Sequence, residues 1–366
     1  MTRRLALLLV LALLLSACTT ATTPVAAALV PVPRVLAPPV RIAETYVSAD
    51  APGEELDSLA TWRSPEGTVW LIASAKSTHR LVVFDAESGA LLRTFGTRGH
   101  APGAFDRPNG VAVSGDLLFV VERDNRRVQV LRLPGFTPVG SFGQAELRSP
   151  YGLWLHQVAL GTLEVFVTDS YMDGPRSDVV PPPAQLGQRV RRYRVDVDGD
   201  RVEAQVLSAF GDTAGSGVLN MVESIAGDPV HRRLLIADEH RPSPSNLREY
   251  DFDGRYSGRS LPDGIFDGEA EGIALWACGD SDGYWVAVDQ QAPLTSFHLF
   301  ARGSLRPVGS FAGNITAQTD GITLHTGATP RFPSGALFAV HDDRAVVAFD
   351  LRDVVQALRL DPGCLR

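Results

Sequence analysis

Along most of the chain, apolar and polar residues alternate in short runs, and clusters of Gly, Pro, Asp and Asn separate one run from the next. A period of two sends successive side chains to opposite faces of an extended strand. Stretches with the helical period are scarce, so the pattern predicts an all-β chain. Six segments open alike: Leu56-Asp-Ser-Leu-Ala-Thr-Trp62, Pro108-Asn-Gly-Val-Ala-Val113, Pro150-Tyr-Gly-Leu-Trp-Leu155, Val222-Glu-Ser-Ile-Ala-Gly227, Ala270-Glu-Gly-Ile-Ala-Leu275 and Thr319-Asp-Gly-Ile-Thr-Leu324. Each sets a polar or aromatic residue before a small one, Gly or Ser, and then runs on as a strand.

A second apolar run follows every opener, as in DLLFVVERD and ALFAVHDD; most units add a third run and several a fourth. Six units of four strands predict a six-bladed β-propeller, with four-stranded antiparallel blades around a central channel. The sixth unit lacks its outer strand, and the segment around 40–47 is expected to supply it and close the ring. The third unit carries a Pro- and Gly-rich insertion from Tyr171 to Arg189. It is expected to form a long loop at the channel mouth, as a lid or as surface decoration.

The start of a first strand and the end of a second emerge together, because neighbouring strands run antiparallel. The openers therefore bring Asp57, Asn109, Tyr151, Glu223, Glu271 and Asp320 to one mouth. The ends of the second strands bring Lys76, Arg123, Asp169, Glu239, Asp289 with Gln290, and Asp342 with Asp343. Facing carboxylates raise one another's pKa unless a positive charge lies among them. A hard cation with oxygen ligands answers that need, and calcium accepts such ligands in flexible geometry. Cations beside a Lys and an Arg would make a phosphate site. A second reading stands for every acid, as a cap on its own turn. Lys76 has the alternative of a solvated surface lysine, and Arg123 that of a local pair with Glu122 or Asp124.

Composition narrows the field. The formal net charge of −8 argues against a nucleic-acid partner. The N-terminal MTRRLALLLVLALLLSAC reads as a bacterial signal peptide over residues 1–17, with a lipobox ending at Cys18. Lipidated Cys18 would anchor the chain to a membrane, and Thr19 after it points to the outer membrane of a Gram-negative envelope. Residues 18–41 are rich in Thr, Ala and Pro and read as a tether; residues 42–366 form the propeller, expected as a monomer. In an oxidising envelope Cys278 and Cys364 are able to pair or to stay free. No metal-binding His or Cys spacing and no G-x-S-x-G elbow occurs.

From about Asp57 to Asp353 the chain resembles the β-propeller phytases of the Bacillus type, calcium-dependent enzymes that remove phosphates from myo-inositol hexakisphosphate (phytate). The resemblance is carried by Asp57-Ser-Leu-Ala-Thr-Trp62, Lys76-Ser77, Arg123, Pro150-Tyr-Gly-Leu153, Val222-Glu-Ser224, Asp238-Glu239 and Ala270-Glu-Gly272, and most specifically by Thr319-Asp-Gly-Ile322 with Phe332-Pro-Ser-Gly335. It implies that Asp57, Glu223, Glu239, Glu271 and Asp320 bind calcium or orient water; Asp289 and Asp342 are expected as further calcium ligands from their places on the ring. It further implies Lys76, Arg123, Glu223, Glu271 and Asp320 in catalysis, and Lys76, Arg123, Tyr151 and Gln290 on substrate. Ser58 and Leu59 stand where the family has Asp and Pro. Asp169-Ser-Tyr replaces a family Lys, with Arg176, Arg189 and Arg191 as candidates to take its place. One unit, GTRGHAPGAFDRPNGVAVSGDLLFVVERDNRRVQVLRL, is similar to an NHL repeat, which implies a non-catalytic binding propeller in the cell envelope as the alternative. A gluconolactonase-type propeller with one central metal is a weaker resemblance.

Overall fold

Six antiparallel sheets follow one another along the chain in the computed structural model, which describes residues 36–176, 178–240 and 244–365. The expected leader, Cys18 and all but the end of the tether lie outside the described residues. Blade 1 is built from Leu56–Arg63, Val69–Ala75, Arg80–Asp85 and Leu91–Phe95, each hydrogen-bonded to the next. Blades 2 to 5 repeat this order, beginning at Pro108, Pro150, Val222 and Glu269. Blade 6 has Ile322–His325, Ala336–His341 and Ala345–Asp350, and Tyr46–Val47 is its outer strand, pairing antiparallel with Ala345–Asp350. The fold is a six-bladed β-propeller, as the repeat predicts.

The N-terminal segment departs from expectation in one respect. Only Tyr46–Val47 completes blade 6; Val40–Arg41 instead adds a fifth, parallel strand to blade 5, beside Pro307–Ala312. Glu44, between the two strands, explains the switch. Its carboxylate accepts backbone N–H bonds from Asn314, Ile315 and Thr316 and a hydroxyl bond from Thr316. Burial works against that charge, but these bonds outweigh it and hold the Glu44 pKa below its usual value. The last two residues of the expected tether thus belong to the sheet.

Apolar layers fill the gaps between blades. Ile72 and Val83 of blade 1 pack with Val120, Leu131 and Phe136 of blade 2, all essentially buried. Burying each such side chain contributes about 1.5–3 kcal/mol. Outer strands are wet: Leu91 and Leu92 of blade 1 are exposed. One α-helix, Leu351–Leu358, follows blade 6. Asp350 caps it by accepting the Arg352 N–H, and Leu351, Val354 and Val355 turn its apolar stripe inward. A disulfide then joins Cys364 to Cys278, 86 residues back at the end of the blade 5 inner strand.

Candidate functional site

A repeated irregularity aims the openers. In blades 1 to 5 the pairing of first and second strands shifts register at the opener, between Leu56 and Leu59, Pro108 and Val111, Pro150 and Leu153, Val222 and Ile225, and Ala270 and Ile273. Such a bulge bends the strand and re-aims a side chain. The small residue after each opener has its own cause. A Cβ on Gly152 would lie 2.4 Å from the Glu223 carbonyl oxygen, one on Gly272 2.7 Å from that of Asp320, and one on Gly321 2.3 Å from that of Asp57. Gly110 meets the Tyr151 carbonyl at 2.6 Å in the same way. Each of these four glycines is seated on the next blade's opener, which sets the spacing of the ring there.

The ends of the second strands divide by parity. In blades 2 to 5 an acid near the end of the second strand is a clamp on the loop that precedes the opener. Glu122 accepts the Asp106 N–H, Asp169 those of Arg148 and Ser149, Asp238 those of Asn220 and Met221, and Asp289 those of Asp267 and Gly268. In blade 6 His341 Nδ1 takes the Ala317 N–H. The next residue along, on the other face, is the one available to the mouth: Lys76, Arg123, Ser170, Glu239 and Gln290. Asp289 is therefore corrected from cation ligand to clamp, and Asp169, expected only at the mouth, is a clamp as well. Asp342 is also displaced from the expected set: its half-exposed carboxylate lies 3.5 Å from Arg344. Asp343 turns inward instead. Burial, together with the charges of Asp57 and Glu55, raises its pKa, while Lys76 nearby lowers it.

At the mouth the residues gather in two groups. Lys76 is buried, with Nζ 2.8 Å from Asp57 Oδ2 and 3.1 Å from Asp320 Oδ2. The Ser58 hydroxyl donates to Asp57 Oδ1 at 2.7 Å, the Tyr151 hydroxyl to Asp57 Oδ2 at 3.1 Å, and the Gln290 amide to Asp320 Oδ1. Burial opposes the charge on Lys76, but Asp57 and Asp320 outweigh it and its pKa rises. Asp320 moves up to about 7; burial raises it most, Lys76 takes part of that back, and the charges of Asp57 and Asp343 raise it further. The second group is Glu223, Glu239 and Glu271, each offering one carboxylate oxygen within 4.8 Å of the others. Burial first, then mutual repulsion, drives the pKa values of Glu223 and Glu271 well above the ordinary range; Glu239 shifts the same way, mainly through burial. Three close carboxylate oxygens that repel one another when ionised fit a hard divalent cation.

Beside these groups lies a cavity of about 820 Å³, whose wall includes Glu223 and Tyr151 together with Arg123, Arg126, Arg148 and Arg176. Arg123 also pairs with Asp124 at 2.7 Å, and Arg176 with Asp178 at 2.8 Å. Arg148 stacks over the Tyr171 ring at 3.8 Å, so the insertion at 171–189 forms part of this wall. Of the three arginines expected to replace the missing family Lys, only Arg176 faces the cavity. Arg189 is buried, donating to the carbonyls of Leu219, Asp169, Tyr171 and Asn220. Arg191 donates to Gln188 and lies 3.9 Å from Asp169. Arg126 and Arg148 were not singled out from the sequence; their signal is a basic residue in the turns on either side of the Arg123 and Tyr151 segments. Asn109 is at its opener position but fully buried. The opposite end of the channel is lined by small and apolar residues of the inner strands, such as Ala60, Ala112, Ala226 and Ala274.

Ring, bulges and acidic mouth define the chain as a six-bladed β-propeller. The sequence matches no protein-family model and no curated protein. Among solved structures, a chain of Kuenenia stuttgartiensis hydrazine synthase is similar at 14% identity and TM-score 0.47, over 88% of this chain and 83% of that one. A chain of a nidogen/laminin complex is similar at 17% identity and TM-score 0.49, over 75% and 87%. The β-propeller domain of Myceliophteria thermophila Cps50 (Swd1) is similar at 12% identity and TM-score 0.46, over 84% and 99%. Likeness at this level says nothing about activity.

Proposed function

We propose that the protein is a calcium-dependent phosphomonoester hydrolase that acts on phytate. The observation that carries this reading is one cavity wall holding Glu223, a member of the three-glutamate cluster, beside Arg123, Arg126, Arg148 and Arg176. Acids that need a cation and arginines that need an anion, side by side, suit a phosphate bridging the two. A wall of four arginines suits a substrate with several phosphates better than one with a single phosphate.

Glu223, Glu239 and Glu271 would hold the cation, which when bound supplies Lewis acidity and lowers the pKa of a coordinated water. The arginines orient the phosphate and spread its charge as the transition state forms. Lys76, buried and held by Asp57 and Asp320, adds a fixed positive charge beside the glutamates. Hydrolysis breaks the bond from phosphorus to the ester oxygen and forms one to the water oxygen; the departing alkoxide needs a proton. Asp320, with a pKa of about 7, is able to hold that proton at neutral pH. Tyr151 and Ser58 fix the orientation of Asp57, which in turn fixes Lys76.

The test is release of inorganic phosphate from phytate by the purified protein, in calcium and again after chelation. Release in calcium that stops with chelator supports the reading. No release above blank overturns it in favour of a binding propeller of the envelope. Glu223→Gln should abolish turnover with the melting transition retained; activity that survives it removes the glutamates from the site.

A further inference from the structure

Lys76 stands among the mouth's carboxylates where a second metal ion would otherwise be needed. All four carboxylate oxygens of Asp57 and Asp320 already accept bonds from protein donors. Asp57 Oδ1 takes the Ser58 hydroxyl, and Asp57 Oδ2 takes Lys76 and the Tyr151 hydroxyl. Asp320 Oδ1 takes the Gln290 amide, and Asp320 Oδ2 takes Lys76. A cation coming to either carboxylate would have to displace a buried ammonium at 2.8 and 3.1 Å, and two of these donors come from other blades. The glutamate cluster is built differently. Its oxygens face one another within 4.8 Å, and Lys76, whose charge is felt at Glu223, makes its direct ion pairs with the aspartates instead.

We infer that Lys76 is a built-in cation for the Asp57–Asp320 pair, so that the mouth binds one divalent ion, at the three glutamates, and replacing the lysine opens a second site. The inference rests on the metal-dependent reading above and adds to it the stoichiometry and the residue that sets it. The charge balance is simple. With both ionised, two aspartates and one ammonium leave a net of one negative charge, which donors from Ser58, Tyr151 and Gln290 solvate. Three glutamates, when ionised, carry three, which a divalent ion brings down to one. Removing the ammonium returns Asp57 and Asp320 to the condition of the glutamates, with two carboxylates sharing one place and nothing positive between them. Neighbouring oxygen donors then remain in the Ser58 and Tyr151 hydroxyls, and calcium accepts neutral oxygens beside carboxylates.

Equilibrium dialysis of the full chain against calcium, with bound metal counted by atomic emission, tests this without any assay of turnover. Wild type should hold one ion per chain, Lys76→Met two, and Glu223→Gln combined with Glu271→Gln none. Two or more ions in wild type, or one in Lys76→Met, overturns the role given to Lys76 and leaves the metal-dependent reading standing. No ion in any form overturns both. Should Lys76→Met fail to fold, Asp320→Asn in the Lys76 background decides: one ion retained supports the inference, and none retained overturns it.

Discussion

Gly152 lies directly beneath Glu223: a Cβ on the glycine would fall 2.4 Å from the glutamate's carbonyl oxygen, well inside van der Waals contact. Because the obstacle is backbone, no side-chain rotation relieves it. Gly152→Ala should therefore push the blade 4 opener outward. We expect a loss of stability of about 1–3 kcal/mol and weaker calcium binding. Denaturant melts of both proteins, with and without calcium, check this. A variant as stable and as calcium-responsive as wild type would show that the ring does not depend on the contact.

The raised carboxylates give the metal-free protein a defined pH dependence. Glu223, Glu239, Glu271 and Asp320 all have folded pKa values above their unfolded ones, and that of Asp320 is about 7. The folded state then holds more protons than the unfolded state between roughly pH 4 and pH 7. Stability from these groups is present at low pH and is lost as pH rises through the folded values. In chelator, Tm should fall by several degrees from pH 5 to pH 7.5, and calcium should remove most of that slope. A Tm flat or rising over this interval in chelator contradicts the strained cluster.

The clamp residues should matter for stability more than their distance from the cation suggests. Asp238 is buried, takes the backbone N–H groups of Asn220 and Met221, and lies 2.8 Å from Arg248. Asp238→Ala leaves those donors and Arg248 without their acceptor, at a cost of about 3–5 kcal/mol. Chemical denaturation measures it directly; a loss under about 1 kcal/mol would mean that solvent replaces the carboxylate freely.

Arg126 and Arg148 carry no carboxylate partner among the described residues, yet both line the cavity. If the cavity receives phosphate groups, Arg126→Ala and Arg148→Ala should raise KM for phytate severalfold each while leaving Tm within a degree or two. Steady-state kinetics on phytate give the answer, and an unchanged KM in both variants would place the substrate elsewhere.

The disulfide spans 86 residues, and closing so long a loop contributes about 4–5 kcal/mol in the chain-entropy description. Cys278→Ser should lower Tm markedly, and wild type with reductant should melt where the variant does. Equal melting of oxidised and reduced protein would show that the bond adds nothing.

Much of this architecture was legible from repetition. The opener and its small successor recur six times, and the structure supplies a reason in the bulge of blades 1 to 5 and in the contact of four glycines with the next blade. The parity of the second-strand ends was not legible. Asp289 and Gln290 are neighbours, and a shift of one residue exchanges the faces of a strand; the bulge across the hairpin hides which of the two faces the mouth. Asp342 and Asp343 pose the same problem in a turn where both have positive φ, 51° and 58°. Arg126 and Arg148 lie in turns, where no periodicity marks a direction. The helix at Leu351–Leu358 is a different omission. Its cap, Asp350, and the apolar spacing of Leu351, Val354 and Val355 stand in the sequence, but a helix of 8 residues is too short for the helical period to stand out from the strand before it.

The pairing of Tyr46–Val47 with Ala345–Asp350 joins segments nearly 300 residues apart, as the 298-residue span of the Val346 to Ser48 bond records. A nascent chain cannot make that join until almost the whole of it has left the ribosome. Until then the first blade has no neighbour on one side and the last has no outer strand, so every partial product carries an unprotected sheet edge.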